Sequence, residues 1–228
     1  KNKKKFWKHI MKSEFIKRVL SSIILIPVAL FFIIKGTFFF NFFMIIFLIV
    51  AAYEWSGLSK NKTYKIPGFI FLIVSIYCTI LLRGNSNFEL YIFLVTILIC
   101  VATDIGGYIF GNLFKGPKIN KRISPNKTYA GSIGGYFLSI ISVYFFVQYS
   151  FLIADDLPNY FGKDEFIWAL LISTVSQIGD FTISLFKRKS KIKNTGSVIP
   201  GHGGLLDRID GMLFALPFAY IYIYFVTP

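Results

Sequence analysis

Seven runs of apolar residues divide this chain, each close to the length needed to cross a lipid bilayer, and that pattern points away from a soluble core. They fall at roughly 19–34, 37–55, 66–82, 88–110, 131–154, 165–186 and 210–227. Apolar runs approaching ~18 residues argue for helices in hydrocarbon, where every backbone N–H and C=O must be satisfied within the segment. Composition agrees: 55% of the 228 residues are hydrophobic and 16% charged, against about a quarter charged in a soluble domain. The expected fold is an all-α polytopic membrane protein of about seven transmembrane helices. Residues 1–18 read as a basic tail, and 19–228 as a single transmembrane domain.

A net charge of +14 on a soluble protein would raise nucleic acid as a partner, but here the cations mark topology. The tail and the successive connections hold 8, 1, 3, 1, 5, 1 and 6 Lys and Arg, so 22 lie on one side and 3 on the other. The positive-inside rule then makes the tail and the basic loops cytoplasmic and the C-terminus external. The acidic Asp155, Asp156, Asp164 and Glu165 fall in an outer loop. The tail carries Phe6, Trp7, Ile10, Phe15 and Ile16 among its cations, which suits an interface with anionic lipid. It is not read as a cleavable signal, because no A-x-A-like site follows. The bilayer is therefore the expected partner and nucleic acid is not. Cys78 and Cys100 sit in apolar runs without metal or disulfide spacing.

Polar residues inside such runs need a reason. Glu54, between Tyr53 and Trp55 at the end of the second run, reads as a snorkelled acid in an aromatic belt. Asp104 lies in the cytoplasmic third of the fourth run, where a carboxylate is costly and marks function by default. Gly106, Gly107 and Gly111 beside it, and Gly131, Gly134 and Gly135 at the start of the fifth run, offer close-packing faces. The loop between them, Lys115 to Gly131, carries five cations, Lys127 among them, with Ser124 and Thr128, but lacks the spacing of a Walker A loop.

The stretch from Gly179 to Gly211 concentrates the chemistry: Asp180, Asp207 and Asp210 with six cations, His202 and several glycines. A long charged loop punctuated with glycine is expected to be functional. Asp180, Ser184, Lys187 and Lys191 share a helical face if the sixth helix continues into the cytoplasm. Asp207 and Asp210 are i, i+3 on one turn, where two carboxylates repel unless a cation lies between them, and Mg²⁺ takes such oxygen ligands. Gly201, Gly203 and Gly204 free backbone N–H groups to approach a phosphate, and Arg208 adds a forked donor.

At these residues the chain resembles the phosphatidate cytidylyltransferases, or CDP-diacylglycerol synthases. The family's signature is matched by Ser184, Lys187-Arg188, Lys193-Asn194, Pro200-Gly201-His202-Gly203-Gly204 and Asp207-Arg208-Ile209-Asp210. Its Ser-Pro-x-Lys-Thr segment is matched by Ser124 to Thr128, its Gln-x-Gly-Asp by Gln177 to Asp180, and its upstream Asp and Tyr by Asp104 and Tyr108. The motifs cover residues 103–211. Asn194 stands where the family usually has Asp, and Ala130 where it often has Glu.

The resemblance implies transfer of CMP from CTP to phosphatidic acid at a cytoplasmic-face site, giving CDP-diacylglycerol and pyrophosphate for phospholipid synthesis. The nucleophile is already an anion, so such a reaction needs positioning and charge neutralisation. Asp180, Asp207 and Asp210 are the expected Mg²⁺ ligands, with a second cation such as K⁺ as a further candidate. Lys187, Arg188, Lys193 and Arg208 would clamp phosphates, and His202 would donate to one or order the glycine loop. Asp104, Ser124, Lys127, Thr128, Ser184, Gly203 and Gly204 would line the substrates. A homodimer in a bacterial inner membrane, N-terminus cytoplasmic, completes the expectation. The alternatives are a related lipid-phosphate or polyprenyl nucleotidyl- or phosphotransferase, and an ion-coupled transporter using Asp104 and Asp180. The chain lacks the Asp pattern of CDP-alcohol phosphotransferases and the repeated halves of many transporters.

Overall fold

The computed structural model describes residues 20–60, 63–152, 157, 162–199, 201 and 203–225. The basic tail, Asp155, Asp156, Pro200 and His202 lie outside the described residues. Helices occupy each expected apolar run: α1 Leu20–Lys35, α2 Thr37–Leu58, α3 Lys65–Arg83, α4 Asn87–Phe114, α5 Tyr129–Gln148, α6 Lys163–Lys189, a short α7 Leu206–Ile209 and α8 Met212–Phe225. Five of them, α2 to α6, are long and apolar enough to cross a membrane, while α1 and α8 are shorter apolar helices.

The exterior is as apolar as the interior. Ile45, Ile49, Ile70, Ile73, Ile133 and Phe137 are all exposed. A chain that leaves this much hydrocarbon outside has lipid as its solvent.

Short connections force neighbouring helices to run antiparallel. Between α3 and α4 the turn is set by a capping box: Ser86 Oγ accepts from Glu89 N at 3.1 Å, and Glu89 Oε2 accepts from Ser86 N at 2.9 Å. The most extensive helix contact joins α4 to α5, and the two glycine faces make it. A Cβ on Gly131 would lie 2.8 Å from the Gly107 carbonyl oxygen, and one on Gly106 would strike the Gly134 carbonyl. Backbone therefore packs on backbone, as small residues permit between membrane helices. Side-chain hydrogen bonds cross the same bundle: Thr103 Oγ1 donates to Ser173 Oγ at 2.8 Å, and Ser75 Oγ to the Leu213 carbonyl at 2.7 Å.

Two apolar clusters fill the bundle. One, around Phe40, Ile99, Val147 and Ile172, joins α2, α4, α5 and α6. The other, around Ala51, Trp55, Leu58, Ile183, Leu206 and Leu213, lies under the α6–α7 connection. Cys78 and Cys100 are free thiols buried among these helices.

The all-α expectation needs one addition. Between α4 and α5, β1 (Lys118–Asn120) pairs antiparallel with β2 (Ser124–Thr128), with Lys118 opposite Thr128 and Asn120 opposite Ser124. Asn120 Oδ1 accepts from Arg122 N and Ile123 N at 3.0 and 3.2 Å, closing the turn as an Asx motif. Thr128 then caps α5, its Oγ1 accepting from Gly131 N at 3.0 Å.

Candidate active site

The last turns of α6 bring an acid, a hydroxyl and a cation onto one stripe, as their spacing predicts. Ser184 Oγ donates to Asp180 Oδ1 at 3.4 Å. Lys187 Nζ donates to Asp207 Oδ1 at 2.9 Å, tying α6 to α7. The stripe stops there. α6 ends at Lys189, and Lys191 adopts φ 56° in the left-handed region, so Lys191 does not share the face with Asp180. The chain reverses at this point, held by Ser190 Oγ donating to the Leu58 carbonyl at 2.6 Å.

Lys127, on the hairpin, forms an ion pair with Asp180. Arg188 is turned to the backbone: its Nε donates to the Ile123 carbonyl at 3.1 Å and its Nη1 to the Ile192 carbonyl at 3.4 Å. It thus fastens the hairpin against α6. Lys193 and Asn194 are exposed on the following turn. Thr128 is only 2% exposed, and its hydroxyl is employed as a helix cap rather than presented to a ligand.

The glycine loop is built differently from the expectation. Ile199 and Gly203 exchange backbone hydrogen bonds of 3.0 and 3.2 Å across the turn. The Gly204 N–H donates to Asp207 Oδ2 at 3.1 Å. The amides of Gly203 and Gly204 are therefore used inside the loop rather than held open for a phosphate. Glycine is required there for shape: Gly203 has φ 89°, which an L side chain rarely adopts, and a Cβ on Gly204 would sit 2.6 Å from Glu54 Oε2.

Asp207 and Asp210 share a turn but have separate partners. Asp207 accepts from Thr195 N at 2.9 Å in addition to Gly204 and Lys187. Asp210 is 7% exposed and accepts from Gly211 N at 3.0 Å. It shares a hydrogen bond with Asp180 and lies within electrostatic reach of Asp104 and Lys187. Asp104, exposed on α4, lies within electrostatic reach of Asp180, Lys127 and Arg208. Three carboxylates, from α4, α6 and the end of α7, thus meet three cations. Among the described residues no group of three or more His, Cys, Asp or Glu forms a metal cage by itself.

Glu54 is the residue that sequence reasoning missed. It is 2% exposed, not snorkelled. Its Oε1 accepts from Leu205 N at 2.8 Å, and its Oε2 from Leu206 N and Thr195 Oγ1, both at 2.9 Å. A cavity of about 1060 Å³ lies at the other end of the bundle, with Glu89, Trp168 and Tyr224 in its wall, away from these carboxylates.

Lys187→Met tests the α6–α7 tie. It would leave Asp207, whose side chain is 9% exposed, with amide donors alone. The expected loss is about 1–3 kcal/mol of stability, read as a lower unfolding midpoint in detergent. An unchanged midpoint would show that the amides suffice.

A model of the cytidylyltransferase family matches residues 67–226. A phosphatidate cytidylyltransferase of Rickettsia bellii is 32% identical over 223 residues, covering 95% of this chain and 94% of the relative. One of Rickettsia typhi is 32% identical over 213 residues, covering 90% of each. One of Brucella suis is 33% identical over 174 residues, which are 76% of this chain and 61% of that protein. The chain thus spans less than two thirds of the Brucella relative's length.

Proposed function

The chain belongs to the cytidylyltransferase family, and from that membership we propose that it transfers CMP from CTP to phosphatidic acid. A phosphate oxygen of the lipid attacks the α-phosphorus of CTP. The bond from that phosphorus to the α–β bridging oxygen breaks, and pyrophosphate leaves with the electron pair. CDP-diacylglycerol is the other product. Both reactants are anions, so their mutual repulsion is what the protein must overcome.

The observation that carries this reading is the meeting of Asp104, Asp180 and Asp210 with Lys127, Lys187 and Arg208. Lys127, Lys187 and Arg208 hold the phosphates, and Lys193 lies at the rim. Mg²⁺ fits the donor set, because it is bound by one or two carboxylates plus substrate phosphates rather than by a full protein cage. Asp180 and Asp210 would hold it, with Asp207 beside them. When bound, the ion would neutralise charge on the nucleotide phosphates.

α1 and α8 count as spans in this reading, giving seven crossings. The partition of 22 cations against 3 supports a cytoplasmic N-terminus and a cytoplasmic site. A bacterial inner membrane supplies the lipid substrate. A homodimer is the assembly the resemblance implies.

The test is pyrophosphate release by the purified protein in detergent, with phosphatidic acid, Mg²⁺ and each of CTP, ATP, GTP and UTP in turn. Release is expected with CTP, and should vanish when lipid is omitted or the metal chelated. Equal release with all four nucleotides, or none with any, would sink the proposal.

A further inference from the structure

Glu54 lies outside residues 67–226 matched by the family model, though within the stretch that aligns with the Rickettsia bellii relative. We propose that Glu54 is a positioning residue for CMP transfer, an assignment that rests on the function proposed above. At 2% exposure it does not touch substrate. It acts through the chain segments it holds.

Two carboxylates grip the same pair of segments from opposite sides. Glu54 takes the Thr195 hydroxyl and the amides of Leu205 and Leu206. Asp207 takes the amide of Thr195 and that of Gly204. Thr195 is therefore held by its side chain on one side and its backbone on the other. The segments it joins lead directly into Asp207, Arg208 and Asp210, so the placement of all three depends on this double clamp. The fit around Glu54 is close: a Cβ on Gly196 would lie 2.7 Å from Glu54 Oε1, and one on Gly204 2.6 Å from Oε2.

The hydrogen-bond inventory requires an acceptor at both oxygens, since one amide N–H reaches each. Three donors converge on two oxygens, and a carboxylate is acceptor-only. An isosteric amide has one acceptor oxygen and an NH₂ group. Glu54→Gln must therefore aim N–H at a backbone N–H of Leu205 or Leu206, whichever way it is flipped. The Thr195 hydroxyl can rotate to accept instead, but an amide N–H cannot.

The experiment compares wild type, Glu54→Gln and Thr195→Val by steady-state pyrophosphate release and by backbone hydrogen exchange in detergent. For Glu54→Gln, kcat is expected to fall about 10- to 100-fold, with KM for CTP within about threefold, since small misplacements act on the reacting geometry. Protection at Leu205 and Leu206 is expected to fall about tenfold or more, while amides of α3 and α4 keep theirs. Thr195→Val keeps both amide bonds and should show a smaller drop in kcat. Wild-type kcat with unchanged protection in Glu54→Gln would overturn the proposal. So would protection lost throughout the bundle in both variants, which would make Glu54 a residue of the fold as a whole. If wild type releases no pyrophosphate, the function proposed above fails, and the exchange arm still decides the clamp.

Discussion

Asp210→Asn is expected to lower pyrophosphate release about 10³-fold at saturating CTP and phosphatidic acid, while the unfolding midpoint stays level or rises. The two effects part because of where the carboxylate sits. It is buried, it faces Asp180, and Asp104 adds to the repulsion. Asparagine keeps the shape and the acceptor for Gly211 N–H, but removes a charge that its neighbours disfavour. A loss of activity without a loss of stability is the signature of a group kept for chemistry. A near-normal rate in this variant would refute a role for Asp210 in charge neutralisation.

Gly106→Leu should have the largest effect on the fold itself. Its side chain would have to occupy the space of the Gly134 carbonyl and the Gly135 Cα. Backbone cannot step aside as a side-chain rotamer does, so α4 and α5 must separate. The polar contact of Thr103 with Ser173 lies on the same side of α4 and would be strained with them. A loss of about 3 kcal/mol or more is expected, at the upper end of overpacking costs. Gly107→Ala is the control, because its added methyl would meet only the Gly131 carbonyl oxygen, at 3.7 Å. Thermal unfolding of the two variants in one detergent separates them. Equal midpoints would mean that the α4–α5 contact is looser than its geometry implies.

The helices were legible because hydropathy over a long run leaves few alternatives, and they follow the apolar runs closely. The facing glycines of α4 and α5 were legible too, since their clustering on short spacings marks a stripe without side chains. The β1–β2 hairpin was not: it is short, its residues are mostly charged or polar, and no apolar alternation announces it. Glycine's role at 203 and 204 was recognised as close approach, but the group approaching is Glu54 or the loop itself.

Glu54 escaped because its hydrogen-bond partners lie 141 to 152 positions along the chain. Flanking Tyr53 and Trp55 imitate an interfacial belt. A signal was nonetheless present. The helical neighbours of Glu54 at three and four residues, Val50, Ala51, Gly57 and Leu58, offer no polar side chain. An acid without a local partner on a packed stripe must be answered from elsewhere in the molecule.

Ser190, where the chain reverses after α6, bonds the Leu58 carbonyl, and the Tyr64 hydroxyl meets its Oγ at 2.7 Å. Both partners precede residue 67, where the match to the family model begins. The stretch matched by the family model is therefore not a separable module. A graft or truncation cut at that boundary would carry every signature residue and leave behind the corner to which their loop is moored. Compensating substitutions are to be sought between the α2–α3 corner and the segment after α6.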